Sequence, residues 1–200
     1  MYRFTEPSDE ELRDFARARA DAPVFSESGE IPDQPPAGFA RNAIRSTLGR
    51  GELAFAAARH ALRNWEQFPE EWIAVRPAHT PVELGEPAVV VARLLGIYTV
   101  NVCRIVWLED TATERESRFA FTYATVPDHA MRGAEIFAVV WDRTSDEVYY
   151  ELVSISRPNQ LFAWLVLPYV RWMQRYFGRS SCAALRSAVE ERLNALLSTA

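Results

Sequence analysis

Between Ala88 and Ser156 the chain offers β-rich stretches in close succession. Ala88 to Leu95, Ile97 to Leu108, Arg118 to Val126, Ala134 to Trp141 and Glu147 to Ser156 are dense in Val, Ile and aromatic residues. Short breaks separate them: Gly96, the polar run Glu109 to Glu116, Pro127-Asp128-His129, and Asp142 to Asp146. Connections this short carry no crossover helix, so successive stretches pair antiparallel as a meander. One face of such a sheet must be covered. The segment from Asn159 to Leu197 supplies the cover, because Leu161, Trp164, Leu165, Trp172, Met173, Tyr176, Leu185, Val189 and Leu193 fall largely on one side of a helix. Pro168 either kinks this helix or starts its main section, and Gly178 to Ser181 is a second candidate break.

The chain before the meander is mixed. Ser8 and Glu11 form a capping box, which starts a short helix running to about Asp21. Ala22 to Gly38 holds Pro32, Pro35 and Pro36 and reads as a loop, laid over the surface or over a pocket mouth. Phe39 to Leu48 reads as a strand and Glu52 to Trp65 as a helix, with Gly49-Arg50-Gly51 between them. Trp72, Ile73 and Val75 form a further short element. Residues 1–37 are thus an N-terminal helix and Pro-rich extension, and residues 38–200 a single domain. The expected class is α+β: a curved antiparallel sheet packed on a long C-terminal helix. This is the START-like helix-grip arrangement, which often leaves an apolar cavity between sheet and helix.

The chain resembles an uncharacterised family, domain of unknown function nineteen-ninety, from about Gly38 onward. The resemblance rests on Leu48-Gly49-Arg50-Gly51 with Phe55, Trp65, Phe68 and Trp72, and on Asn101-Val102-Cys103-Arg104. It continues through Tyr123 to His129, Gly133-Ala134-Glu135 with Phe137, and Ser156-Arg157-Pro158 followed by Pro168, Arg171 and Gln174. Ala124 and Asp128 stand where the family usually has glycine, and Ala134 where it usually has glutamate. The family has no established activity; the resemblance implies a START-like fold and no particular chemistry.

Composition removes several function classes. A formal net charge of −5 argues against general nucleic-acid binding, which needs a basic surface. The most apolar run, Leu161 to Val170, is too short to span a bilayer and is closed by Arg171, so no membrane insertion is expected. No apolar leader follows Met1, and a cytoplasmic location is expected. His60, His79 and His129 match no metal spacing, Cys103 and Cys182 have no companions, and no metal or cofactor is expected. Gly49-Arg50-Gly51 lacks phosphate-loop spacing and reads as a turn.

A few polar residues stand out. Period-two alternation puts Arg104 on a face with Tyr98, Val100, Val102, Val106 and Leu108. A guanidinium there either grips a ligand anion or sits in a structural ion pair, with Glu135 as candidate partner. His129, in a loop, with Tyr123 and Glu135 would form an acid–base cluster if the loop folds inward. Arg157 is a second candidate for orienting a ligand. Trp164 and Trp172 are candidate cavity walls, core packing being the alternative; Ser154 and Ser156 look structural. Three readings follow: a binder of a small apolar or amphipathic molecule gripped by these residues, an enzyme of cyclase or hydrolase type using His129, Tyr123 and Glu135, and a protein–protein adaptor presenting aromatics near Trp65 and Trp72.

Overall fold

The computed structural model describes residues 1–159 and 167–198. Trp164 lies outside the described residues. The meander is present as β4 (Pro87–Leu94), β5 (Ile97–Ala112), β6 (Glu116–Thr125), β7 (Met131–Asp142) and β8 (Glu147–Pro158). β2 (Ala40–Arg50) pairs with β8, and β3 (Ile73–Arg76) closes the far edge on β4. The order across the sheet is β2-β8-β7-β6-β5-β4-β3, antiparallel throughout. The short β1 (Tyr2–Arg3), which no sequence pattern marks, adds to β5.

β2 and β3 lie at opposite edges, so the chain between them must cross the sheet. It does so through α2 (Gly51–Arg63), whose Ala54, Ala57, Ala58, Ala61 and Leu62 are buried at helical spacing. The C-terminal helix α3 (Leu167–Ser198) packs against α2 and the sheet through Phe177, Gly178, Ser181, Cys182, Leu185 and Val189. Small residues on both helices allow a close approach. The arrangement is the expected α+β helix-grip, a curled antiparallel sheet on a long C-terminal helix.

Pro168 starts α3, one of its two expected roles, while the candidate break at Gly178 to Ser181 is not made. Pro168 is its second residue, where the missing N–H removes no intrahelical bond. Residues 178–181 continue the helix, and Ser181 Oγ is 2.9 Å from the hydroxyl of the buried Tyr150. The strands around Glu109 to Glu116 also run further than expected, leaving only Thr113 to Arg115 as the turn. Thr113 Oγ1 accepts the N–H groups of Arg115 and Glu116, which closes the hairpin tightly.

The N-terminal segment covers the opposite, convex face. α1 (Asp9–Arg17) carries the capping box of Ser8 and Glu11. Its Leu12 and Ala16 pack on Val89, Val91, Val100 and Val102. Farther on, Val24, Phe25, Ile31 and Phe39 pack against Ala124, Ala134 and Ile155. Phe25 N–H donates to Thr125 O, and Thr122 Oγ1 donates to Gly29 O, so this loop is fastened to β6. Gly29 is required there: its φ is +70°, and a Cβ would lie 2.4 Å from Trp107 Cβ. Among the described residues no helix is long and apolar enough to cross a membrane.

Candidate functional site

The concave side of the sheet is not filled by side chains. A cavity of about 890 Å³ lies between it and α3, lined by residues of β2 through β8 and α3. Small-molecule sites commonly span about 300–1,000 Å³. Ile44, Leu152 and Phe177 line its inner end. Phe177 continues into an aromatic cluster with Phe68, Phe137 and Phe121, successive ring centroids lying 5.2 to 5.9 Å apart. Farther along the strands the lining includes Val90, Ala92, Leu94, Leu95, Tyr2 and Tyr169. Leu95, at the tip of the β4–β5 hairpin, is 96% exposed.

Antiparallel register builds a polar row across this apolar space. Asn42 on β2 is opposite Ser154 on β8, Ser154 is opposite Glu135 on β7, and Glu135 is opposite Tyr123 on β6. All four line the cavity. Opposite residues of neighbouring strands are about 5 Å apart, so the row spans roughly 15 Å. One position toward the inner end along each of these strands, on the same face, stand Ile44, Leu152, Phe137 and Phe121, all apolar.

Tyr123 and Glu135 are joined: the Tyr123 hydroxyl donates to Glu135 Oε2 at 2.6 Å. Burial pushes the Glu135 carboxyl above the ordinary carboxylate range, opposed by the Tyr123 hydrogen bond. Burial, with Glu135 beside it, also pushes the Tyr123 hydroxyl far up. Glu135 forms no salt bridge with any described Arg or His. Asn42 Nδ2 is buried without a hydrogen-bond partner.

His129 also lines the cavity, at another level. It lies beyond Met131, four residues along β7 from Glu135, which corresponds to about 13 Å of strand rise from Glu135 to Met131 alone. Its Nδ1 accepts the Met131 N–H at 2.9 Å, leaving the ring proton on Nε2. Burial brings its pKa down to about 4, so the ring is neutral near pH 7. His129 makes no hydrogen bond to Tyr123 or Glu135, so the three residues share a cavity without forming a proton relay.

Arg104 and Arg157 are elsewhere. A register shift between Ile105 and Trp107 interrupts the alternation of β5, so Arg104 does not share a face with Leu108. Cys103, Ile105 and Leu108 face the concave core, while Arg104 is on the convex side. Its guanidinium donates to Arg19 O at 2.9 Å and to Ala20 O, just past the end of α1. The expected pairing with Glu135 is therefore not made; the sheet stands between them. Arg157 is also on the convex side, its guanidinium 5.1 Å from the centroid of the Phe39 ring. Neither arginine lines the cavity.

Trp172 is half exposed and stacks with Tyr169 and Tyr176 at 5.9 and 5.6 Å, outside the cavity lining. Trp65, expected on an adaptor surface, is only 5% exposed. Its Nε1 donates to Thr80 O at 2.8 Å and its ring meets Phe121 edge-on at 5.0 Å. Trp72 is half-buried and lines the cavity.

Asn42, Ser154, Asn101 and Gln174 are polar lining residues outside the expected site; the sequence marks Ser154 as structural, and Asn101 and Gln174 only as part of the family resemblance. Asn101 Oδ1 accepts Ala130 N–H, and Gln174 Nε2 donates to Ser156 Oγ at 2.6 Å. Alternation along Tyr150, Leu152, Ser154 and Ser156 was the available signal for Ser154. Asn42 gave none, because only the pairing of β2 with β8 sets it in the row.

The chain is similar to proteins already known. A UPF0548 protein of Dictyostelium discoideum is 27% identical over 212 residues, covering 97% of this chain and 98% of that protein. A UPF0548 protein of Deinococcus radiodurans is 30% identical over 189 residues, covering 88% and 92%. Among solved structures, a START superfamily protein from Mycobacterium smegmatis aligns with a TM-score of 0.47 at 11% identity, covering 76% of this chain and 97% of that one. Residues 25–184, which include β2 through β8 and the cavity residues Asn42, Tyr123, Glu135 and Ser154, match the model of the family described as a domain of unknown function, DUF1990, and the chain belongs to that family.

Proposed function

We propose that this protein binds one small apolar or amphipathic molecule in the space between the sheet and α3. The observation that carries the reading is a cavity of about 890 Å³ whose apolar walls are crossed by one polar row. Apolar wall area supplies the binding free energy, at about 25 cal/mol per Å² removed from water. The polar row supplies orientation, since a ligand group left unpaired against it would be penalised. The polar end of the ligand lies at Tyr123 and Glu135, and the apolar remainder extends past Val90, Ala92 and Met173 toward Leu95 and Tyr169.

The test is a titration with the neutral fluorophore N-phenyl-1-naphthylamine, using the native chain and Ser154→Phe. Position 154 is central in the row, and a phenyl group there fills the space beside Glu135. The proposal expects saturable one-to-one binding to the native chain, weakened at least tenfold in a folded Ser154→Phe variant. Unchanged binding in that variant places the probe outside the cavity and refutes the reading.

A further inference from the structure

The polar row has a chemical signature that narrows the ligand, given the cavity-binding reading above. Glu135 is the sole carboxylic acid among the described residues lining the cavity. One of its oxygens is engaged by Tyr123, and no described cation pairs with it. The titratable groups that act on it are Cys103 on β5, Tyr123 on β6 and Tyr150 on β8, all neutral weak acids with pKa values raised by burial. On β2 and α3 the cavity lining includes Asn42, Gln174 and Phe177, which carry no charge. The cations that do line the cavity are directed elsewhere. Arg41 points to Asp33, while Arg175 and Arg179 are exposed on α3.

Burial with no paired cation raises the Glu135 carboxyl above its ordinary range and so favours its protonated form, which is a hydrogen-bond donor. Protonated carboxylic acids held in apolar sites are known to donate to carbonyl oxygens. Asn42 Nδ2 is a second donor without a partner, two strands away across Ser154. The row therefore offers hydrogen-bond donors to a ligand at Asn42 and, when protonated, at Glu135. A cationic ligand group would meet those donors in a cavity whose lining also carries Arg41, Arg175 and Arg179. A carbonyl oxygen, an uncharged acceptor, matches the Glu135 carboxyl as donor.

We propose that the cavity selects molecules whose buried polar end is an uncharged carbonyl oxygen, of a ketone, ester or amide, received by the Glu135 carboxyl. Glu135→Gln keeps a donor at the same place, whereas Glu135→Leu removes it. The probes are dodecan-2-one and dodecyltrimethylammonium, which share a chain length and differ at the head. Each competes with N-phenyl-1-naphthylamine on the native chain, on Glu135→Gln and on Glu135→Leu, with circular dichroism confirming that each variant is folded. The expected result is displacement by the ketone at least tenfold more effective than by the ammonium compound. Glu135→Gln retains the ketone affinity within about threefold, and Glu135→Leu loses about tenfold.

Tighter binding of the ammonium compound overturns the proposal, as does an equal loss of ketone affinity in both variants or none in Glu135→Leu. Should Glu135→Leu not fold, Glu135→Gln and the ketone-to-ammonium ratio decide alone. Displacement by neither twelve-carbon compound, with the fluorophore bound, instead counts against amphipathic-ligand binding as a whole.

Discussion

A glycine-to-alanine pair tests the packing that frames the cavity. Gly133 on β7 is opposite Ser156 on β8, beside the polar row. A Cβ there would lie 1.9 Å from Ile155 O and 2.8 Å from Ser156 Cα, both backbone atoms. Reaching even a 3.0 Å contact requires β8 to retreat from β7 by at least about 1.1 Å. Ladder hydrogen bonds of about 2.9 Å would then stretch toward 4 Å and be lost. Two buried backbone bonds left unmade cost about 3 kcal/mol together, and the Gly133 N–H bond to Thr125 Oγ1 is put at risk as well. At roughly 2–4 °C per kcal/mol for a domain of this size, Gly133→Ala lowers Tm by about 6–12 °C. Gly178→Ala is the contrasting case. Its Cβ would lie 3.8 Å from Ile44 Cγ2, an ordinary contact, and alanine in a helix gains about 0.5–1 kcal/mol over glycine. The assay is thermal unfolding followed by circular dichroism at one pH for all three proteins. Equal Tm values for Gly133→Ala and the native chain would refute the close approach of β7 and β8.

Other consequences are separately measurable. His129, half-buried with its pKa brought down to about 4, is neutral near pH 7, so stability is full above the unfolded pKa near 6.5 and falls as pH drops through 4. The loss approaches about 3 kcal/mol below pH 4, and His129→Asn should flatten that part of the profile of Tm against pH. Glu135 carries the opposite sign: its raised pKa means that stability is full below the unfolded value and declines as pH rises through the folded one. Glu135→Gln should therefore gain Tm relative to the native chain at pH 8 and not at pH 4. Arg104→Met removes the donor to Arg19 O and Ala20 O and should cost about 1.5–3 kcal/mol in denaturant unfolding, with fluorophore affinity unchanged. Trp172→Ala, at a half-exposed position outside the cavity lining, should shift stability by less than about 1 kcal/mol and leave fluorophore affinity unaltered.

The sheet was legible because hairpin spacing and β-rich composition both report local structure. The capping box at Ser8 and Glu11 was legible for the same reason, and the family resemblance extended over most of the chain. Features that depend on pairing were not. β1 is two residues long and carries no periodicity. The register shift at Ile105 and Trp107 is a single irregularity inside a sixteen-residue strand, yet it decides that Arg104 and Leu108 occupy different faces. Without it in view, a convex-side arginine resembles a cavity arginine. Tyr123 and Glu135 could be named from the sequence, but their contact follows from the β6–β7 register. Asn42 enters the row through the return of β2 beside β8, a pairing between residues more than a hundred positions apart. The exposure of Trp172 likewise depends on which stripe of α3 meets α2 and the sheet. That stripe is set by Phe177, Gly178, Ser181, Cys182, Leu185 and Val189 and leaves Trp172 and Tyr176 outside it.

The central claim is that the cavity holds a small molecule, and native mass spectrometry of the purified chain, followed by solvent extraction, tests it most directly. The account predicts a bound species at one per chain, in the native protein or after incubation with dodecan-2-one, and its loss in folded Ser154→Phe. A protein that stays at its bare mass under both conditions, with unchanged Tm in the presence of the ketone, would contradict it.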